Sequence, residues 1–380
     1  MGEPPSQYSV CVLLHNLIVG GSALQWLHLL EPAAATGARV TIVAPPGPLS
    51  EPARAAGIEL IEVDWETVGR NLREEPWPRV AEHDVAIVHW DHQVMDAFTP
   101  ALEACGRAAL AIHQSPTALA RWLGDGILDS IKASLDLSLR HHAAVALVTG
   151  EHHRRRFVDA FDLPPEGIRI LPASIPLPAG DLPAAGRGTE EVLALVRLSP
   201  EKAAVVRLAA ALVGAGLAAG DSPHLTIAGA GPWHEEARQL CERSLPAGSW
   251  SIEPAPADPI ARLAAADIVV AQGLTTLEAA ALGRPTVVAR ETQDGHAAGV
   301  VLRPENYDEA ARDPFGVPAV SEDAAALWRE LRAFEPDDLA VLRGLVARHN
   351  GIETARAALD AALAATAPGL PSWRLDDGPL

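Results

Sequence analysis

At 380 residues the chain exceeds one ordinary hydrophobic core, and 48% hydrophobic against 21% charged residues leaves enough apolar surface to pack two domains. A formal charge of −19 at pH 7, with no basic run beyond Arg154-Arg155-Arg156, excludes nucleic acid as an expected partner. Three widely spaced cysteines (Cys11, Cys105, Cys241) build neither a disulfide framework nor a metal pattern, no apolar stretch reaches a membrane span, and no basic leader opens the sequence, so a cytoplasmic protein with no membrane insertion and no metal is expected.

Strand-like and helix-like segments alternate. An apolar run at Ser9–Leu14 leads through Gly20-Gly21-Ser22 into a helix over Ala23–Thr36. Strands follow at Val40–Ala44, Ile58–Val63 and Val85–His89, then a helix at Ala97–Cys105, a strand at Ala109–His113, a strand at Val145–Thr149, a helix at Glu151–Phe161 and a strand at Ile168–Leu171. The segment Pro172–Gly188, rich in proline and glycine, reads as an interdomain linker. The alternation restarts with Val192–Val196, a helix over Glu201–Gly214, Leu225–Ala228, a helix over Trp233–Ser244, Ser251–Glu253, Ile260–Ala265, Ile268–Ala271, a helix over Thr275–Leu282, and Thr286–Ala289. Helices over Glu322–Phe334, Pro336–His349 and Ile352–Ala365 close the pattern. Repeated βα units predict two doubly wound α/β domains, with ligands at the C-terminal edges of the strands and in the cleft between the domains.

Several notable residues fall at those edges. Arg197 and Lys202 flank the loop after Val192–Val196, where a helix begins near Glu201; a strand end, a helix N-terminus and two cations suit a diphosphate, although the same loop also reads as ordinary solvated surface. Lys202 is one of only two lysines, the other being Lys132, in a chain that otherwise uses arginine. Gly21 lets a ligand approach the backbone after the first strand, or is a simple turn. His113 ends a strand and is placed to touch a sugar or phosphate, or is a structural histidine. Gly229 and Gly231 make a second glycine bend, short of a dinucleotide fingerprint. At Gln272-Gly273-Leu274-Thr275-Thr276-Leu277-Glu278, a strand meets a bend, Thr275 or Thr276 caps a helix, and Glu278 lies in its first turn, either offsetting the helix dipole or accepting from two vicinal ribose hydroxyls. His89-Trp90-Asp91-His92 follows a strand of the first domain, and Trp90 suits stacking on a sugar ring. The adjacent pairs His141-His142 and His152-His153 read as surface residues.

These pieces, in this order, resemble the retaining GT-B glycosyltransferases of family 4. The resemblance rests on Gly20-Gly21, His113, Val148-Thr149-Gly150-Glu151, Ile168-Arg169-Ile170-Leu171-Pro172, Arg197-Leu198-Ser199-Pro200-Glu201-Lys202, Ile227-Ala228-Gly229-Ala230-Gly231-Pro232, Ala265-Ala266-Asp267, and Leu277-Glu278-Ala279 through Gly283-Arg284-Pro285. It implies two Rossmann-like domains facing a cleft, with an acceptor-side domain over 8–178, a donor domain over 189–350, and a helix over 351–366 packing back on the first. It implies a nucleotide sugar of UDP or GDP type as donor and a hydroxyl of a small soluble acceptor, such as a natural product, with no cofactor and no metal. Arg197 and Lys202 would bind and stabilise the leaving diphosphate, with His113 and Gly21 near the sugar. Gly229, Gly231, Gly273, Leu274, Thr275, Thr276 and Glu278 would hold the donor, Ile252–Pro256 would lie by the base, and His15, Trp90, Asp91 and His92 would line the acceptor pocket. The chain departs from the family where a first glutamate would fall at Val270, and Val196 stands where glycine is frequent. N–H groups over 272–276, Glu291 or Asp294 are candidate replacements for the missing acid. A nucleotide-sugar epimerase of the same fold and a non-catalytic relative of these enzymes are the alternatives.

Overall fold

The computed structural model describes residues 9–69, 71–89, 94, 97–112, 144–178, 190–292, 294–312 and 320–365. The chain divides into two compact units, one formed by Met1–Ser174 with Ile352–Leu380, the other by Ile175–Gly351.

The first unit carries β1 (Val10–Leu13), α1 (Gly21–Ala35), β2 (Val40–Ala44), α2 (Ser50–Ala55), β3 (Glu59–Glu62), α3 (Trp77–Val80), β4 (Val85–His89), α4 (Phe98–Cys105), β5 (Ala108–Ile112), β6 (Ala144–Val148), α5 (Glu151–Phe161) and β7 (Ile168–Ile170). The sheet runs β3-β2-β1-β4-β5-β6-β7, and every pair is parallel. β1, β2, β4, β5 and β6 are buried along their whole length, which is why they read as unbroken apolar runs rather than alternating ones. Two apolar layers cover the two faces: Trp77, Phe98 and Phe157 belong to one, Trp26, Leu29 and Ile42 to the other. Leu359 and Leu363 of the terminal helix α12 (Ile352–Ala364) join the second layer, and Arg107 Nη2 donates to the Leu363 carbonyl at 2.6 Å.

The second unit carries β8 (Glu191–Leu195), α6 (Ala203–Ala218), β9 (His224–Ala228), α7 (His234–Ser244), β10 (Trp250–Glu253), α8 (Pro259–Ala265), β11 (Ile268–Ala271), α9 (Leu274–Ala281), β12 (Thr286–Glu291), β13 (Ala297–Val301), α10 (Ala324–Arg332) and α11 (Pro336–Asn350). Its sheet runs β10-β9-β8-β11-β12-β13, parallel except for β13, which adds antiparallel to β12 at the edge. Sequence reading misses this edge strand. Helix α6 is apolar on nearly all sides because Val205, Leu208 and Leu212 pack on Val192, Ile227 and Val287 while α10 covers it from outside. The start of β11 is pinned to β8 by the Asp267 carboxylate, which accepts from the Glu190 and Glu191 N–H groups at 3.2 and 3.0 Å.

The boundary between the units, Ser174–Ile175, falls inside the segment read as the interdomain linker; Ala173, Ser174 and Ile175 are buried there, and the Ile175 N–H donates to the Asn350 carbonyl at 3.0 Å. One expectation needs correction. His153 is not a surface residue. It lies on the buried face of α5, with Nδ1 at 3.1 Å from the Thr149 hydroxyl and its ring edge-on to Phe157 at 5.0 Å.

Candidate functional site

In each sheet the chain first winds one way and then the other, so two adjacent strands send their following loops in opposite directions. That switch point lies between β1 and β4 in the first sheet and between β8 and β11 in the second. It opens a crevice beyond the strand ends, where doubly wound folds take their ligands.

In the second unit the loops from both sides of the crevice meet. After β8 the backbone turns through Val196–Ser199 and forms one 3-10 turn, Pro200–Lys202, before α6 begins. After β11 it passes Gln272 and enters α9 at Gly273, whose φ of +71° and ψ of −138° only glycine adopts without strain. A Cβ there would meet nothing within 4 Å, so the space above it is open. Lys202 Nζ donates to Gln272 Oε1 at 3.1 Å and joins the two loops across the switch point.

The site is strongly cationic. Arg197 Nη2 lies 2.5 Å from Glu201 Oε1, an i,i+4 pair with both side chains more than 40% exposed. Burial above all, then the charge of Arg197, and further the charge of Arg290, hold the Lys202 ammonium below its ordinary pKa, against the opposite pull of Glu201. Two arginines therefore act on the Lys202 charge at this edge. Helix α9 adds the N–H groups of Leu274 and Thr275 at its start, while that of Thr276 donates to the Gly273 carbonyl at 3.1 Å. One turn along α9, burial pushes the half-buried Glu278 carboxyl up to about 7.

The glycine bend after β9 supports this loop. Gly229 and Gly231 lie against the loop after β8: a Cβ on Gly229 would stand 1.9 Å from the Val196 carbonyl oxygen, and one on Gly231 would stand 2.1 Å from that of Leu198. Three backbone bonds fasten the two segments, Val196 N–H to Ala228, Leu198 N–H to Ala230 and Trp233 N–H to Leu198, each 3.0 Å. The side of each glycine where a Cβ would sit therefore faces the neighbouring backbone, and both residues shape the loop that carries Arg197.

Thr275 and Thr276 do not cap α9. Gly273 is the N-cap, and Thr276 is buried inside the helix, its hydroxyl without a partner among the described residues. The helix ends at Leu282 and Gly283 in a Schellman arrangement, with Arg284 N–H on the Ala279 carbonyl and Gly283 N–H on that of Ala280. Val270 is fully buried among Val192, Ile227 and Val287, so no acid can serve from that position. Glu291 and Asp294 are exposed, as are Glu253, Pro254 and Ala255 in the middle of the segment assigned to the base.

In the first unit, Gly21 is the exposed first residue of α1, behind the extended N-cap Gly20. His15, just past β1, and His89, the last residue of β4, stack across the switch point with ring centroids 5.7 Å apart and planes 24° apart. His89 is buried. Trp90, Asp91, His92 and His113, and the pair His141-His142, lie outside the described residues. Sequence reasoning named Gln272 only for its backbone N–H and did not single out Arg290, which lies one residue before the end of β12.

Solved structures of the same architecture include proteins described as glycosyltransferases. The fold is GT-B. HepE from Anabaena, crystallised with UDP and glucose, superposes with a TM-score of 0.64 at 13% identity, covering 94% of this chain and 99% of its own. A glycosyltransferase from Rickettsia africae gives 0.66 at 11% identity, with 95% and 99% covered. WaaG, described as a glycosyltransferase involved in lipopolysaccharide biosynthesis, gives 0.60 at 15% identity, with 94% and 100% covered. No protein-family model matches the sequence, and no curated protein matches it.

Proposed function

We propose that this GT-B protein is a glycosyltransferase whose second unit binds a nucleoside-diphosphate sugar and releases the diphosphate. The observation that carries this reading is the Lys202–Gln272 hydrogen bond, which draws a cationic loop and the open N-terminus of α9 to one point at the switch of the sheet. HepE, of the same fold, has also been crystallised with UDP-glucose.

The bond from the anomeric carbon to the diphosphate oxygen breaks, leaving an oxocarbenium-like carbon and charge on the phosphate. Arg197 and Lys202 stabilise that charge more in the transition state than in the ground state. Arg197 exchanges Glu201 for a phosphate oxygen at little expense, because an exposed i,i+4 pair contributes only ~0.3–0.5 kcal/mol. The acceptor hydroxyl bonds to the anomeric carbon from the face the phosphate leaves, and its proton passes to the departing phosphate oxygen. Configuration is thereby retained with no protein nucleophile. Glu278 accepts from the ribose hydroxyls, and the first-turn N–H groups of α9 take over the sugar contacts that an acid at position 270 would make. The acceptor is a small hydroxyl compound, with His15 of the first unit as a residue of its pocket.

A non-catalytic, nucleotide-binding role is the second reading, favoured by the buried Val270. Incubation with UDP- and GDP-sugars and a panel of hydroxyl acceptors decides between them. Released diphosphate and an NMR-assigned glycoside with the donor's anomeric configuration are the expected products. Lys202→Ala should lower kcat about a hundredfold or more while leaving the melting temperature nearly unchanged. Tight nucleotide binding without donor consumption supports the second reading, an inverted product refutes retention, and full activity in Lys202→Ala refutes the leaving-group role.

A further inference from the structure

We infer that Gln272 is the positioning residue of Lys202, and that its neutral carboxamide holds the ammonium in place for the diphosphate without neutralising it. The inference rests on the diphosphate reading above and extends it to the residue that follows β11.

The backbone holds both ends of the contact. β8 and β11 are parallel neighbours, with Ile268 opposite Val192 and Val269 opposite Leu193. The residues that follow the two strands therefore emerge at the same edge of the sheet. On the β8 side, the Lys202 N–H donates to the Ser199 carbonyl at 3.0 Å and closes the 3-10 turn Pro200–Lys202; Lys202 is then the N-cap of α6. On the β11 side, Gln272 follows the buried strand Ile268–Ala271 and precedes Gly273, whose positive φ turns the chain into α9. Both backbones are tied into packed structure, so the freedom that remains belongs to the side chains. A lysine stem is long and flexible, and an ammonium without a partner samples many rotamers. The 3.1 Å bond from Lys202 Nζ to Gln272 Oε1 selects among them.

Charge explains why the partner is an amide. Glu201, the acid next to Lys202 in sequence, pairs with Arg197 instead. Among the described residues the ammonium makes no salt bridge, and the Gln272 amide is its hydrogen-bond partner. An ammonium carries three donors, so this single bond leaves the others for a ligand. Burial is the largest of the influences that hold Lys202 below its ordinary pKa, so the charge is kept at some cost in hydration. A carboxylate at position 272 would accept the same bond, but it would also offset the positive charge and repel an incoming phosphate. The amide oxygen accepts without either effect. Holding Lys202 is also the work the Gln272 side chain does here, because its amide makes no other hydrogen bond among the described residues. A neutral acceptor beside a partly buried cation fits an anionic ligand that completes the pairing, and a diphosphate is such a ligand.

Calorimetric titration of uridine and guanosine diphosphates into wild type, Gln272→Glu and Gln272→Ala tests this, with melting curves to check that each variant is folded. Gln272→Glu keeps the shape and the acceptor, so a mere tie between two loops would survive it or tighten. The inference predicts the opposite. Gln272→Glu should weaken the diphosphate of the preferred base about tenfold or more, and Gln272→Ala, which frees the ammonium but leaves its charge, should weaken it by a smaller, several-fold amount. The pH profile of Lys202 acylation reads the contact separately: its midpoint should rise by about one pH unit or more in Gln272→Glu. Diphosphate affinity within about twofold of wild type in either variant overturns the inference. So does a larger loss in Gln272→Ala than in Gln272→Glu, or a Lys202 midpoint that does not move. Wild-type protein that binds neither diphosphate removes the site itself, which separates failure of the diphosphate reading from failure of Gln272 alone.

Discussion

A half-buried carboxyl raised to about 7 destabilises the fold that holds it, and Glu278 is such a group. Its proton is bound more tightly in the folded chain than in the unfolded one. The associated stability is therefore fully present below the unfolded value of 4.5 and is lost as pH rises through about 7. The loss amounts to something on the order of 3 kcal/mol. Glu278→Gln cannot titrate, so its melting temperature relative to wild type should climb between pH 5 and pH 8. The same substitution should weaken nucleotide binding, because an amide cannot accept from both ribose hydroxyls through two oxygens. Parallel melting curves for the two proteins across that range would refute the assignment of a strained, ligand-directed carboxylate. A gain in stability joined to a loss of affinity marks a residue kept for binding rather than for folding. Glu278, Arg197 and Lys202 were legible in the sequence because each stands just beyond an apolar run that ends in a bend.

At the level of elements, parallel strands were easy to read because burial on both faces leaves continuous Val, Ile, Leu and Ala runs. The edge strand β13 escaped because Ala297-Ala298-Gly299-Val300-Val301 is dominated by small residues. The structure gives the reason: a Cβ on Gly299 would stand 2.5 Å from a Leu208 methyl and 2.9 Å from a Val287 methyl, so α6 and β12 already fill that space. The glycine bend at Gly229 and Gly231 was visible in the sequence, but its reason was not, since the carbonyls that exclude a side chain belong to Val196 and Leu198 in an earlier loop. The same close packing fixes α6 against α10. Gly216 sits in the last turn of α6, still within the helix, where alanine would ordinarily add up to about 1 kcal/mol of stability. A Cβ at that position would lie 2.7 Å from the Trp328 indole, whose Nε1 is anchored to Asp221 at 2.8 Å. Gly216→Ala should therefore destabilise the protein by roughly 1–3 kcal/mol, read by denaturant unfolding. An unchanged or raised midpoint would show that the Trp328 contact is loose.

For the molecule as a whole, the charge of −19 and the local cluster of Arg197, Lys202 and Arg290 stand in opposition. An acidic surface repels an anionic donor at a distance, so binding must be carried by short-range contacts at one edge of one sheet. The sequence made the two α/β halves and the strand edges at their switch points readable. The bend residues that join loops across the switch point, such as Gln272, emerge only from the sheet order. The composition also offers a direct test, because Lys132 and Lys202 are the two lysines of the chain. Lysine acylation, mapped by mass spectrometry with and without a saturating nucleoside diphosphate, reports on the central claim. The account predicts that the diphosphate slows modification of Lys202 at least several-fold and leaves Lys132 unchanged. Unaltered labelling of Lys202 while the nucleotide is demonstrably bound would contradict it.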